Sequence, residues 1–225
     1  MANPNNQKAF HQILINTLVA ATTTSFVWFA VTFWVFLQTK SILATSLIAG
    51  IFTVTNMLTA VFFGAIVDHN KKKMVMLGSA TLSLIAFVIG TIIYFATGLN
   101  SFTDPMSVAL WVFIVILMLG VIVGNIRVIA LNTCVTLLFP EGERDKANGM
   151  MGTTQGISFA VTSVFSGLVI GFLGMQSALL IAVALMVLAI LHLLIIKIPE
   201  KDIVSTGLST KEKIDFKGTY KVVHS

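Results

Sequence analysis

Six long apolar runs dominate this chain and restrict what it can fold into. They occupy residues 12–38, 41–67, 74–96, 108–139, 150–173 and 177–198. A helix needs about 20 apolar residues to cross the hydrocarbon core of a bilayer, and every run is long enough. The strands of an outer-membrane barrel are only about ten residues long and alternate in polarity, unlike these runs. The sequence therefore predicts an all-α membrane protein with six transmembrane helices.

The low content of charged residues indicates the same class. Only 10% of the residues are Asp, Glu, Lys or Arg, whereas a soluble domain carries about 25%. So few charges could not cover the surface of a water-soluble fold of 225 residues. We therefore expect the lipid bilayer to surround the chain. The single cysteine, Cys134, excludes an intrachain disulfide.

The basic residues are unevenly distributed, and their positions predict the orientation in the membrane. Cytoplasmic loops of membrane proteins are rich in Lys and Arg. With a cytoplasmic amino terminus, 12 of the 14 basic residues fall on the cytoplasmic side. The exceptions are Lys40, in an outer loop, and Arg127, inside the fourth run. We expect a multi-pass protein of the cell membrane with both termini cytoplasmic, and no nucleic-acid partner.

Composition divides the chain into three parts. Residues 1–11 form a cytoplasmic amino-terminal segment, 12–198 the six-helix transmembrane domain and 199–225 a polar cytoplasmic linker or tail. The first run is too long for the 7–15-residue core of a cleaved signal peptide, so we expect it to be retained. The Lys-rich tail either lies on the anionic inner leaflet or is a solvated linker.

A Gly–Asp–Lys pattern lies on the turn predicted between the second and third runs. In the segment GAIVDHNKKKMVML, at residues 64–77, Asp68 lies four residues after Gly64 and is followed by Lys72 and Lys73. Gly64 is expected to allow close approach of neighbouring helices. An anion beside the C-terminal end of a helix dipole is unfavourable, which predicts a cation or another helix N-terminus as the partner of Asp68. The alternative is a positively charged turn that only anchors two helices.

The same segment resembles the signature loop of the major facilitator superfamily, roughly G-x-x-x-D-R-x-G-R-R. His69 and Lys71 stand where that pattern has its first Arg and its second Gly. A second segment, FPEGERDKANG at residues 139–149, resembles the loop between the fourth and fifth helices in the macrolide-efflux and enterobactin-exporter branch. The chain thus resembles the amino-terminal six-helix half of such a transporter.

This resemblance implies a fold and a function. Facilitator-type transporters have two six-helix halves, each a 3+3 inverted repeat, with substrate bound between them. The chain would be one half of an alternating-access transporter that exports small amphiphilic compounds. The implied partners are a carboxyl-terminal half, if it exists, a small-molecule substrate and the proton as a candidate coupling ion; no cofactor is implied. The resemblance also implies a conformational-switch role for the motif residues Gly64, Asp68, Lys72 and Lys73.

Polar and aromatic side chains in the runs are candidates for the substrate cavity. In the resembling family the first helix lines that cavity, and hydroxyl and aromatic groups suit an apolar substrate with a few polar atoms. The candidates are Asn16, Thr23, Trp28, Asn56 and Gln155. The alternative for each is ordinary helix packing, since a Thr hydroxyl can bond to its own helix.

Arg127 is the only formal charge deep inside a run. An unpaired charge inside the membrane costs several kcal/mol. Two interpretations remain open. The side chain extends to the inner surface, or it faces a water-filled cavity or gate with Asn125 and Asn132 as neighbours.

No catalytic or metal site is expected. Ser166 and His192 would have to form a Ser–His pair, but their positions in their runs differ by ~12 Å in depth. A nucleophile and its base must lie within about 3 Å. The sequence thus predicts that the protein is not an enzyme. The alternative to a transporter half is a complete six-helix protein that acts as a homodimer or channel-like subunit.

Overall fold

The computed structural model describes residues 4–198, and long helices account for most of them. No strand occurs within that range. Two short 3-10 turns, Leu99–Phe102 and Glu141–Glu143, lie in the connections. The helices are α1 (Pro4–Thr39), α2 (Ile42–His69), α3 (Lys72–Ala96), α4 (Val108–Gly124), α5 (Ile126–Leu138) and α6 (Arg144–Ile195). The all-α prediction is confirmed, while the predicted tail at 199–225 lies outside the described residues.

The fourth apolar run is divided into α4 and α5 at Asn125. The Asn125 N–H donates to the carbonyl of Ile122 at 3.1 Å, which is the tighter i→i−3 pattern of a 3-10 turn. Together α4 and α5 cover Val108–Leu138, or 31 residues. That length is about 46 Å of helix, more than the hydrocarbon core needs. Asn125 is thus placed inside the membrane, at the joint between two helical pieces.

The last two predicted crossings form one helix with a sharp turn at Gly174. A straight α6 of 52 residues would be about 78 Å long. Instead Gly174 has φ 74° and ψ 177°, a conformation that glycine adopts without steric cost. Ala147 and Ile196, near the two ends, lie in the same hydrophobic cluster, so the chain doubles back. We call residues 144–173 the first arm and 175–195 the second arm.

Five helical segments are long and apolar enough to cross a membrane. The turn at Gly174 divides the last of them into two crossings. The described residues therefore contain the six crossings that the apolar runs predict. At the centre, α1 packs against α2, α4, α5 and α6.

Helices α3 and α4 approach each other closely at Gly120. The hydroxyl of Ser83 donates to the carbonyl of Gly120 at 2.7 Å. A Cβ on Gly120 would lie 2.9 Å from side-chain atoms of both Ala86 and Phe87. The glycine thus allows the two backbones to pack at a distance that any side chain would prevent.

Two parts of the bundle are poorly covered by the rest. Helix α2 buries only Ala44, Ile48 and Val67. The first arm exposes large apolar side chains such as Ile157 and Val161, each 61% accessible. Apolar surface of this kind faces either lipid or another protein segment.

Candidate functional site

A cavity of about 180 Å³ lies between α1, the α4–α5 joint and the first arm of α6. One face of α1 forms its first wall, because residues spaced three and four apart share a side of a helix. That face consists of Leu14, Thr17, Leu18, Ala21, Thr24 and Ser25. The other walls are Asn125, Val128, Leu131, Met151, Thr154, Gln155, Ser158 and Phe159. The walls combine hydroxyl, amide and apolar groups, and none of these side chains is charged.

Some of the hydroxyl groups in the cavity walls are already used within the protein. Thr24 donates to the Ala21 carbonyl at 2.9 Å. The hydroxyl of Ser158 lies 2.5 Å from that of Thr22, which links α1 to the first arm. The hydroxyl of Thr17 differs from both, because it is buried and has no hydrogen-bond partner among the described residues. An unpaired buried hydroxyl costs about 1–3 kcal/mol. A hydrogen bond from a ligand to the Thr17 hydroxyl would remove that cost.

Of the five cavity candidates from the sequence, Gln155 lines this cavity. The other four are engaged elsewhere. Asn16 is fully buried, and Thr23 donates to the Val19 carbonyl at 2.8 Å. Trp28 stacks on Phe52 of α2 with ring centroids 4.1 Å apart, and Asn56 accepts from the amide of Asn125 at 2.9 Å. A role of these residues in substrate binding stays a prediction.

Thr17 was missed by the sequence analysis, although a signal for it exists. Leu14, Leu18, Ala21 and Ser25 recur at helical spacing, and Thr17 belongs to the same face. A run of apolar residues with a few hydroxyls does not reveal which hydroxyl is bonded to the backbone. Only the packed structure distinguishes Thr17 from Thr24.

Arg127 is buried at the start of α5, with 1% of its surface accessible. Its Nη1 donates to the carbonyl of Met76 at 3.2 Å, and its Nη2 donates to Oδ1 of Asn16. The Nε has no partner among the described residues. Both expectations for Arg127 need correction, because the side chain neither reaches the inner surface nor lines the cavity. It is a buried cation held by neutral oxygen atoms.

Asn16 extends this network to the second arm of α6. Its Nδ2 donates to the Ala189 carbonyl at 2.7 Å and lies 3.3 Å from Nδ1 of His192. Because Arg127 also contacts α3 through Met76, the network joins α1, α3, α5 and α6. The expected neighbours Asn125 and Asn132 are not part of it; Asn125 bonds to Asn56, and Asn132 is exposed.

The Gly–Asp–Lys motif lies on the turn between α2 and α3. Asp68 is exposed, and its carboxylate makes no ion pair with the described part of the chain. A Cβ on Gly64 would meet no atom within 4 Å, so the expected close helix approach at Gly64 does not occur within the described residues. Lys72 donates to the carbonyl of Asn70 at 3.2 Å, within its own turn. Within residues 4–198 the structure thus provides no cation that pairs with the Asp68 carboxylate.

Lys73 differs from the other motif residues because its side chain contacts the end of α6. Its Nζ donates to the carbonyls of Leu194 at 3.0 Å and Ile196 at 2.6 Å. These are among the last carbonyls of α6, which lack partners inside the helix. A cation there also interacts favourably with the helix dipole. Lys73 thus caps α6 from α3.

The described residues were compared with the expectations for metal ligands and for the Ser166–His192 pair. No group of three or more His, Cys, Asp or Glu side chains could hold a metal ion there. Ser166 donates to the Ser163 carbonyl at 3.2 Å, and His192 lies beside Asn16. The two residues of the hypothetical Ser–His pair thus have separate partners.

Comparison with known proteins gives a family match. The family model described as Major Facilitator Superfamily matches residues 13–223 of the chain. The match covers all six crossings. No curated protein matches the chain.

Proposed function

The chain belongs to the major facilitator superfamily, and from this premise we propose that it is the amino-terminal half of an alternating-access exporter of small amphiphilic compounds. The members of this superfamily are membrane transporters rather than enzymes. The chain is accordingly a multi-pass membrane protein with a general function in transport. The branch, the direction of transport, the substrate class and the half-transporter organisation belong to the proposal.

The cavity carries the proposal. Its wall combines apolar side chains such as Leu14 and Phe159 with hydroxyl and amide groups such as Ser25 and Gln155. Ligand sites are typically apolar with a few polar groups that fix orientation. A compound with an apolar body and one or two polar atoms matches that lining.

The surface of the first arm supports the existence of a partner half. Gly149, Gly152 and Gly156 lie along it, and a Cβ on any of them would meet no atom within 4 Å. Lipid chains pack equally well against larger apolar residues, whereas small residues let another helix approach closely. We infer that the first arm packs against a helix outside residues 4–198.

The exposed carboxylate of Asp68 supports the same arrangement. It lies in the last turn of α2, where the helix dipole disfavours an anion. A cation or a helix N-terminus on the opposing half would remove that cost in one of the two alternating states. The switch role of Gly64, Asp68, Lys72 and Lys73 is proposed on this basis, with Lys73 acting through its cap on α6.

The proposed orientation places both termini in the cytoplasm of the cell membrane, following the basic residues. Protons remain the candidate coupling ion. None of the six apolar runs contains Asp or Glu, and His192 is their only histidine.

A homodimer of complete six-helix chains is the second candidate, since a second copy would also cover α2 and the first arm.

The test of the proposed function begins with the DNA downstream of the Ser225 codon. If that DNA encodes a second six-helix half, the half is co-expressed with this chain. Efflux-deficient bacteria are loaded with the neutral dye Nile red. The release of the dye is followed after the energy supply of the cells is restored. We expect release only with both halves. Release by this chain alone would favour the homodimer, and no release with either combination would contradict amphiphile export.

A further inference from the structure

We propose that the cavity selects uncharged amphiphiles over organic cations, and that Thr17 is the residue that hydrogen-bonds them. This inference rests on the proposed function and narrows its substrate class. It is carried by two independent observations: the hydroxyl of Thr17 is unpaired among the described residues, and the charge of Arg127 is held there by neutral oxygen atoms.

Thr17 is unusual among the threonines of α1. Thr23, Thr32 and Thr39 each donate to the carbonyl four residues earlier, at 2.8 Å. The hydroxyl of Thr17 is buried and unpaired among the described residues, and the residue lines the cavity. In the rotamer of the structure the hydroxyl oxygen has almost no accessible surface, so a ligand contact requires the second χ1 rotamer that a helical threonine can adopt without backbone movement. A polar ligand atom would satisfy the group that the protein leaves unsatisfied.

The charge around the cavity decides which ligands can use Thr17. Arg127 lies between the wall residues Asn125 and Val128 in sequence, but it is buried and does not itself line the cavity. Its partners are the neutral oxygens of Asn16 and Met76. A cation without a counter-charge in a low-dielectric interior produces a positive potential around it. Because no wall residue is acidic, an organic cation entering the cavity meets repulsion and finds no carboxylate.

Anions are not favoured either. A buried anion must be paired to offset the loss of hydration. Arg127 as a whole is 1% accessible and does not line the cavity, so its guanidinium does not pair directly with a ligand there. An uncharged ligand loses the least hydration free energy when it enters the cavity, and it can form the hydrogen bond with Thr17.

The test measures binding to the full chain in lipid nanodiscs by fluorescence titration. The probes are N-butyl dansylamide, which is neutral, and its analogue with a trimethylammonium group at the end of the butyl chain. Empty nanodiscs give the background from partition into lipid. We expect saturable binding of the neutral probe and at least tenfold weaker binding of the cation. Equal affinities would overturn the proposal.

The first variant pair tests the hydrogen bond between Thr17 and the ligand. Thr17→Val keeps the shape of the side chain but removes the hydroxyl. It should lower the affinity for the neutral probe about fivefold. Thr32→Val makes the same change on the same helix outside the cavity and should leave the affinity unchanged. Since Thr17→Val removes an unpaired buried hydroxyl, it should unfold no earlier than the parent, so weaker binding would not reflect misfolding. Unchanged affinity in Thr17→Val would overturn the role of this residue.

The second variant pair tests the charge selection without disturbing Arg127. Gln155→Glu adds a carboxylate to the wall and should strengthen binding of the cationic probe about tenfold. Gln176→Glu adds the same charge outside the cavity and should not. If Gln155→Glu gives no gain, the electrostatic part of the proposal is wrong. If neither probe binds saturably to any form, the cavity of this chain is not a ligand site and the selection proposal is wrong, whereas the proposed function is tested separately by Nile red release with both halves.

Discussion

The side-chain amide of Asn16 accepts a hydrogen bond from the guanidinium of Arg127, across 111 positions of sequence. The same amide donates to the Ala189 carbonyl at 2.7 Å. One neutral side chain therefore stabilises a buried cation and ties α1 to the second arm of α6. Asn16 is therefore a structural residue, and its replacement should weaken the contacts among several helices.

Replacing Asn16 by leucine should destabilise the protein. Asn16→Leu removes the Oδ1 acceptor of Arg127 and leaves a buried charge with fewer partners, which costs about 1–3 kcal/mol. Thermal unfolding of the purified chain in detergent measures the change. Asn132→Leu is the matched control, because Asn132 is exposed on α5 and should leave the midpoint unchanged. Equal midpoints for the two variants would contradict the importance of the Asn16–Arg127 bond.

Removing the charge as well should restore part of that stability. A buried ionic group replaced by an apolar residue of similar size is often tolerated, whereas removal of one partner alone is not. We expect Arg127→Met combined with Asn16→Leu to be more stable than Asn16→Leu alone. The non-additivity of the double-mutant cycle should be about 0.5–3 kcal/mol. Strictly additive effects would mean that the two residues act independently.

The cap on α6 gives a third prediction. Lys73→Met removes the hydrogen bonds to the carbonyls of Leu194 and Ile196 and should cost about 0.5–1.5 kcal/mol. Hydrogen exchange should then become faster in the last turn of the second arm. Lys72→Met is the control, because among the described residues Lys72 donates to carbonyls of its own turn and not to α6. Faster exchange in both variants would point to a general charge effect instead of a cap.

Two glycines distinguish packing inside the bundle from packing against a partner. Gly120→Ala places a Cβ 2.9 Å from the side chains of Ala86 and Phe87, and such overpacking typically costs about 1–3 kcal/mol. Gly152→Ala meets open space and should be neutral or stabilising, because alanine favours the helix by about 1 kcal/mol. Unfolding of both variants in detergent provides the comparison. A destabilised Gly152→Ala would show that the exposed first arm already packs on something within this chain.

A linear sequence pattern predicts the crossings of this chain but not the tertiary pairing of its buried polar groups. Six apolar runs predicted six crossings because the length of a run is a local property that the bilayer imposes directly. The sequence predicts Arg127 at the surface or at a cavity, because its neutral partners Asn16 and Met76 are distant in sequence and no local pattern reveals them. Thr17 was missed for a related reason, since local sequence does not indicate whether a hydroxyl is paired. Tertiary pairing therefore decides the features that matter most for the site.

Asp68→Asn tests the partner half most directly. Asp68 is exposed at the end of α2 and has no ion-pair partner in residues 4–198, so the substitution should leave folding and abundance of the isolated chain unchanged. If the carboxylate bridges to an opposing half, the complete transporter should lose most of its Nile red release. Asp145→Asn is the control, because Asp145 is also an exposed acid, in the first turn of α6 on the side predicted to be cytoplasmic. Unchanged release by Asp68→Asn would show that the motif is a charged turn and not a switch.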